Sequence, residues 1–222
     1  MTRTRDSVAR ADFSSCAFGE ISGDNEYEQI TTRDIHIDDD FEIHLEDSDS
    51  YAFPDQEIYR GKFKYVNESP LGDEEASGIF QFRTGSKLFV FRKRKGSAPI
   101  HRISRVFREA YAPDIRIHED YKPSREAIWN FVEKASWRDD IYVLNDFGEE
   151  VSFAELAKQA GVPKKNLYGE YPLVSVELAF TVPWGPSVTI RYDQGHLEVS
   201  SNDDDVYEYV LQRFERDVVA YR

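Results

Sequence analysis

Cysteine occurs once in the 222 residues, at Cys16. A lone thiol excludes an internal disulfide and a thiolate metal cluster. The longest fully apolar runs, such as 88–91 and 141–144, are four residues, whereas a membrane span needs roughly 20. The early arginines are not followed by the apolar stretch of a secretory signal. These absences together lead to the expectation of a cytoplasmic protein with no membrane segment. The chain also lacks a Gly-rich phosphate loop ending in Lys-Ser/Thr, an H-E-x-x-H pair and a G-x-S-x-G elbow. Its five histidines, His36, His44, His101, His118 and His196, are scattered. No catalytic residue, metal ligand or cofactor is assigned from the sequence.

What the chain does have is acid. It holds 42 Asp and Glu against 28 Lys and Arg, for a net charge of −14. Dense carboxylates keep a surface hydrated and self-repelling. With 18 Arg, 10 Lys and few sulfur residues, the balance resembles proteins that work in molar salt. At ~1 M salt the Debye length is ~3 Å, so only direct charge contacts would count.

The basic residues are not spread evenly. Ten lie between Ile79 and Arg116, with only Glu109 and Asp114 among them. That window carries +8 and leaves −22 on the other 184 residues. A basic island in an acidic chain calls for a counter-charge.

Residues 1–55 read as an acidic region, disordered over the first 30 residues because no apolar period is sustained there. Ile35, Ile37, Phe41, Ile43 and Leu45 alternate on both sides of Asp38-Asp39-Asp40, which predicts a hairpin. It would bring His36 near His44, although solvated side chains suffice to explain both histidines. Residues 56–222 read as an α+β body with a sub-boundary near 113–123. Its expected architecture is a mainly antiparallel mixed sheet with four to five helices. Phe80 and Phe82 alternate before Thr84-Gly85-Ser86, as do Phe89 and Phe91 after it, predicting a second hairpin. A helix should follow over 99–110, burying Ile103, Val106, Phe107 and Ala110 at helical spacing. Arg102, Arg105 and Arg108 then point away from the core. The same strand, turn, strand, helix order recurs over 190–219.

Further helices are expected over 124–136, 153–160, 163–168 and 204–219. Ser152 and Glu155 have the spacing of a capping box, and Gly161 is placed to end the helix. Asp203 to Asp205 put carboxylates at a helix start, where the dipole favours them. His118-Glu119-Asp120 ends a short strand before a loop, a common setting for active-site residues, and reads equally well as polar loop.

In 153–168, Ala157, Gly161, Val162 and Leu167 occupy the small, glycine and apolar positions of a helix–turn–helix. The stretch resembles that pattern of transcription regulators, and 124–192 follows winged-helix order. The resemblance implies that Lys164, Lys165 and Asn166 would enter a major groove. Gly169, Glu170 and Pro172 depart from the pattern.

The leading expectation is a non-enzymatic binding protein whose basic face, 79–116, meets an anionic partner, nucleic acid before acidic protein. Arg92, Lys93, Arg94, Lys95, Arg102, Arg105 and Arg108 are the candidate contacts, because arginine and lysine suit phosphate. The phenylalanines could stack on bases or fill a core. The alternatives are a protein–protein adaptor, a basic patch paired with the chain's own acids, a winged-helix regulator and an enzyme of unidentified chemistry. One mechanism has the acidic first third cover the basic face, so that deleting 1–50 would strengthen binding.

Overall fold

The computed structural model describes residues 9–17, 25–38, 41–47, 50–68, 72–111, 116–118, 123–201 and 203–221. The chain forms two compact units. One comprises Ala9–Glu42 and Phe53–Tyr121; the other includes Ile43–Ala52 and Lys122–Arg222. The division does not fall at residue 55.

The N-terminal unit contains β1 (Ala9–Ala17), β2 (Asn25–Tyr27), β3 (Ile30–Ile37), β4 (Ile58–Asn67), β5 (Glu74–Arg83), β6 (Leu88–Gly96), α1 (Ile100–Tyr111) and β7 (Arg116–His118). Its strands are antiparallel neighbours in the order β2-β3-β4-β5-β6-β1, and β7 pairs with β1. Period-two patterning explains the packing. Phe63, Tyr65, Phe80, Phe82, Phe89 and Phe91 face α1 and meet Ile103, Val106, Phe107 and Tyr111 in one core. The Phe107 ring lies 4.9 Å from Phe80, 5.1 Å from Phe89 and 5.3 Å from Phe91. The phenylalanines are therefore core and offer no stacking platform. Close approach of β5 and β6 depends on Gly78, where a Cβ would lie 2.1 Å from the Arg92 carbonyl oxygen.

The second unit contains α2 (Arg125–Glu133), β8 (Trp137–Leu144), β9 (Glu150–Ser152), α3 (Phe153–Ala160), β10 (Leu173–Phe180), β11 (Val188–Asp193), β12 (His196–Val199) and α4 (Asp204–Phe214). Its antiparallel sheet runs β12-β11-β10-β8-β9. A single π-helical turn, Glu215–Val219, extends α4. Phe131 on α2 packs 5.0 Å from Phe180 and 5.6 Å from Phe214. Segment Ile43–Ala52 belongs to this unit. The His44 amide donates to Gln212 Oε1 at 2.7 Å, and the Tyr51 hydroxyl donates to the Glu215 carboxylate.

The α+β class holds, with antiparallel sheets and four α-helices among the described residues. Both strand–turn–strand–helix stretches are present, as β5-β6-α1 and β11-β12-α4. The helix ending at Gly161 is also present, with Gly161 in the left-handed region at φ 66°.

Several expectations are corrected. No hairpin spans 35–45: β3 pairs with β2 and β4, and residues 41–45 form no strand. Long-range pairing to β4 offers Ile35 a core that a local acidic hairpin could not. Asp39 and Asp40 lie outside the described residues. Of the first 30 residues, 9–17 and 25–27 are strands. The capping box is absent, since Ser152 makes no side-chain cap bond; it is also the last residue of β9, paired to Tyr142. The expected helix over 163–168 is a four-residue 3-10 turn, Lys164–Leu167, stopped by Gly169 at φ 80° ahead of Pro172. With no recognition α-helix there, the winged-helix reading of 124–192 loses the element that would read DNA. Glu119 and Asp120 lie outside the described residues.

Candidate functional site

The basic residues of 79–116 do not form one patch. Side chains alternate across a strand, and Phe91 faces α1, so Arg92 faces away from it. Arg92 is only 6% exposed. Lys93 returns to the α1 side, where its Nζ donates to the Ala98 carbonyl at 3.1 Å. A β-bulge follows: Gly78 pairs with Lys93 and Ser77 with Lys95, leaving Arg94 as the extra residue. The bulge turns Lys95 to the face opposite α1. Arg94 and Lys95 are both exposed, and Arg94 is engaged by a neighbour.

On α1, three arginines lie on the outer side as the 100° step requires, but they are not equivalent. Arg102 Nη1 pairs with Glu74 Oε2 at 2.5 Å. Arg108 is half-buried and engaged. Arg105 is exposed, has no ion-pair partner among the described residues and stands beside exposed His101. Arg83, counted in the basic window, is fully buried, with its guanidinium 5.6 Å from the Phe41 ring.

The acidic first third meets one basic group of the window, Arg102 through Glu74, and makes further ion pairs of its own. Arg33 pairs with Glu26 at 3.2 Å, Arg60 with Asp38 at 2.7 Å and Lys62 with Asp34 at 2.5 Å. The Lys62 hydrogen bond and charge hold the Asp34 carboxyl below its ordinary range. Because β1, β2 and β3 are built into the sheet, the acidic segment is not a detachable cover. Deleting 1–50 would remove three strands.

Arg60, Lys62 and Lys64 were missed as candidates. They alternate along β4 and therefore share one face, a signal visible in Arg60-Gly-Lys-Phe-Lys64. Lys62 sits directly across from Arg33 and from Ile79, and Lys64 across from Thr31 and Ser77.

In the second unit, Lys164, Lys165 and Asn166 are exposed on the 3-10 turn. Lys164 lines a shallow cleft of about 180 Å³ with Arg138, Asp139, Asp140, Ser152 and Tyr168. Arg138 is already used: it donates to the Ala135 and Glu133 carbonyls at 2.7 and 3.0 Å, closing the end of α2. The expected approach of His36 to His44 has no hairpin to bring it about, and the two histidines belong to different units. Among the described residues, no helix is long and apolar enough to cross a membrane.

No protein-family model matches the chain, and neither does any curated protein.

Proposed function

We propose that the chain is a binding protein whose N-terminal unit contacts an anionic macromolecule, with nucleic acid as the partner to test first. The observation behind this reading is that part of the basic window stands exposed and unpaired. Arg92, Lys93 and Arg102 are buried or bonded within the protein, whereas Lys95 and Arg105 are exposed and have no ion-pair partner among the described residues. Phe80, Phe82, Phe89 and Phe91 are core, so these rings are not presented for stacking on bases. Contacts would go to phosphate, which positions a nucleic acid without reading its sequence.

Fluorescence anisotropy with mixed-sequence single- and double-stranded DNA and RNA, from low to molar KCl, tests the reading. The parent should bind with little sequence preference, and binding should weaken as salt rises. Arg105→Glu should weaken it further without changing the melting temperature. If the folded parent binds none of these nucleic acids at any salt, the reading is wrong.

A second reading, in which the basic patch of 79–116 is paired with the chain's own acids, is favoured by the Arg102–Glu74 ion pair. Under it, Arg105→Glu is silent and no polyanion binds.

A further inference from the structure

Four residues lie side by side in the register of the N-terminal sheet: Thr31 on β3, Lys64 on β4, Ser77 on β5 and Lys95 on β6. Directly opposed residues share a face. Their neighbours along the strands, Phe63, Tyr65 and Ala76, belong to the core under α1. The row is therefore on the other face, where no α-helix of this unit packs among the described residues.

Adjacent strands are about 4.8 Å apart, so the Lys64 and Lys95 backbones stand about 10 Å apart with Ser77 between them. Both lysines are exposed and Ser77 is half-buried. Among the described residues, none of the three side chains has a hydrogen-bond or ion-pair partner. In the adjacent row, Lys62 and Arg33 are held by Asp34 and Glu26. Unpaired positive charge on this face is thus Lys64 and Lys95. Acidic groups bound it: Glu26 ends the row, occupied by Arg33, and exposed Glu75 lies two residues from Ser77 along β5.

We propose that the Lys64–Ser77–Lys95 row is a phosphate-contacting site for a nucleic-acid backbone, separate from the outer face of α1. The inference rests on the nucleic-acid reading above. The row lies at the exposed end of this face, whose other residues Val90, Arg92 and Gln81 are buried, so it offers a surface and does not enclose a small anion. An extended polyanion can engage both lysines at once and release counterions from each contact. The hydroxyls of Ser77 and Thr31 add donors that phosphate oxygens accept from.

The test is anisotropy titration of the full chain against mixed-sequence oligonucleotides over a range of KCl. The parent is compared with Lys64→Gln/Lys95→Gln, with Arg105→Gln and with Lys164→Gln/Lys165→Gln. Neutral glutamine on an exposed face should leave the melting temperature unchanged. The Lys64/Lys95 variant should weaken binding uniformly across sequences and reduce the slope of log affinity against log salt by about 2, one per lost contact. The Lys164/Lys165 variant should match the parent. A parental slope in the Lys64/Lys95 variant, with Arg105→Gln weakened, overturns this site and leaves the nucleic-acid reading standing. A parent that binds no oligonucleotide overturns both. A parent that binds polyglutamate but no oligonucleotide overturns the partner class.

Discussion

Lys134 Nζ lies 2.8 Å from Asp217 Oδ1 and so ties the end of α2 to the π-helical turn after α4. Asp217 is fully buried, and Arg216 bonds it through Nε at 2.8 Å and Nη2 at 2.9 Å. Burial alone would raise its pKa. The bonds and charges of Arg216 and Lys134 outweigh that, and the carboxyl is held below its ordinary value. A depressed folded-state pKa contributes stability that is present above the unfolded value, near 3.9, and is lost as pH falls through the folded value. Asp217→Asn should cost about 1–3 kcal/mol at neutral pH, because it removes the charge-assisted bonds that Arg216 and the partly exposed Lys134 donate to the buried carboxylate. The gap between parent and variant should shrink only below about pH 4. Urea melts at a series of pH values check this; a gap already closing at pH 6 would contradict it.

Gly78→Ala should destabilise the N-terminal unit by about 1–3 kcal/mol, the usual range for overpacking. The added carbon would meet backbone, the Arg92 carbonyl, rather than a side chain able to swing away. Thermal unfolding measures it, and an unchanged melting temperature would mean that β5 and β6 are further apart than described.

Arg92 and Arg105 were interchangeable as letters in a basic window, and they should separate in experiment. Arg92→Glu reverses a charge at a site only 6% exposed and should cost several kcal/mol. Arg105→Glu should stay within about 0.5 kcal/mol, as surface changes do. Equal effects would place the two on similar surfaces and undo the face assignment.

Gln194 adopts φ 46° ahead of Gly195 at φ 93°, in the turn joining β11 to β12. Two positive values are the geometry for which Asn-Gly is preferred. Gln194→Asn should stabilise the protein by about 0.5 kcal/mol, near the low end for such optimisation. A lower melting temperature would count against this turn geometry.

The helix α1 was legible because Ile103, Val106 and Phe107 repeat at helical spacing, and the β5–β6 hairpin because its phenylalanines alternate. The face assignments were less so. A basic window is a property of chain position, whereas a surface is a property of register, and the bulge at Arg94 changes register without a marker residue. Lys62 and Lys64 carried a readable period-two signal, but their charge was averaged into the acidic first third. Ser152 and Glu155 had capping-box spacing, yet Ser152 was already the end of a strand. The 153–168 stretch matched helix–turn–helix letters because a helix closed by a left-handed glycine uses the same letters without a second helix. Arg83 was counted in the basic window because nothing local shows that it is buried against Phe41.

The chain leaves the N-terminal unit after Glu42, gives residues 43–52 to the other unit and returns at Phe53. Cleavage near residue 121 would therefore not release two self-sufficient pieces. The fragment 122–222 would lack Leu45 and Tyr51, both buried, and the His44 amide that bonds Gln212. Its Glu215 carboxylate would face a gap where the tyrosine hydroxyl belongs. Anyone trimming this protein should expect the N-terminal piece to survive the cut better than the C-terminal one. Adding a synthetic 43–52 peptide should restore order to the latter.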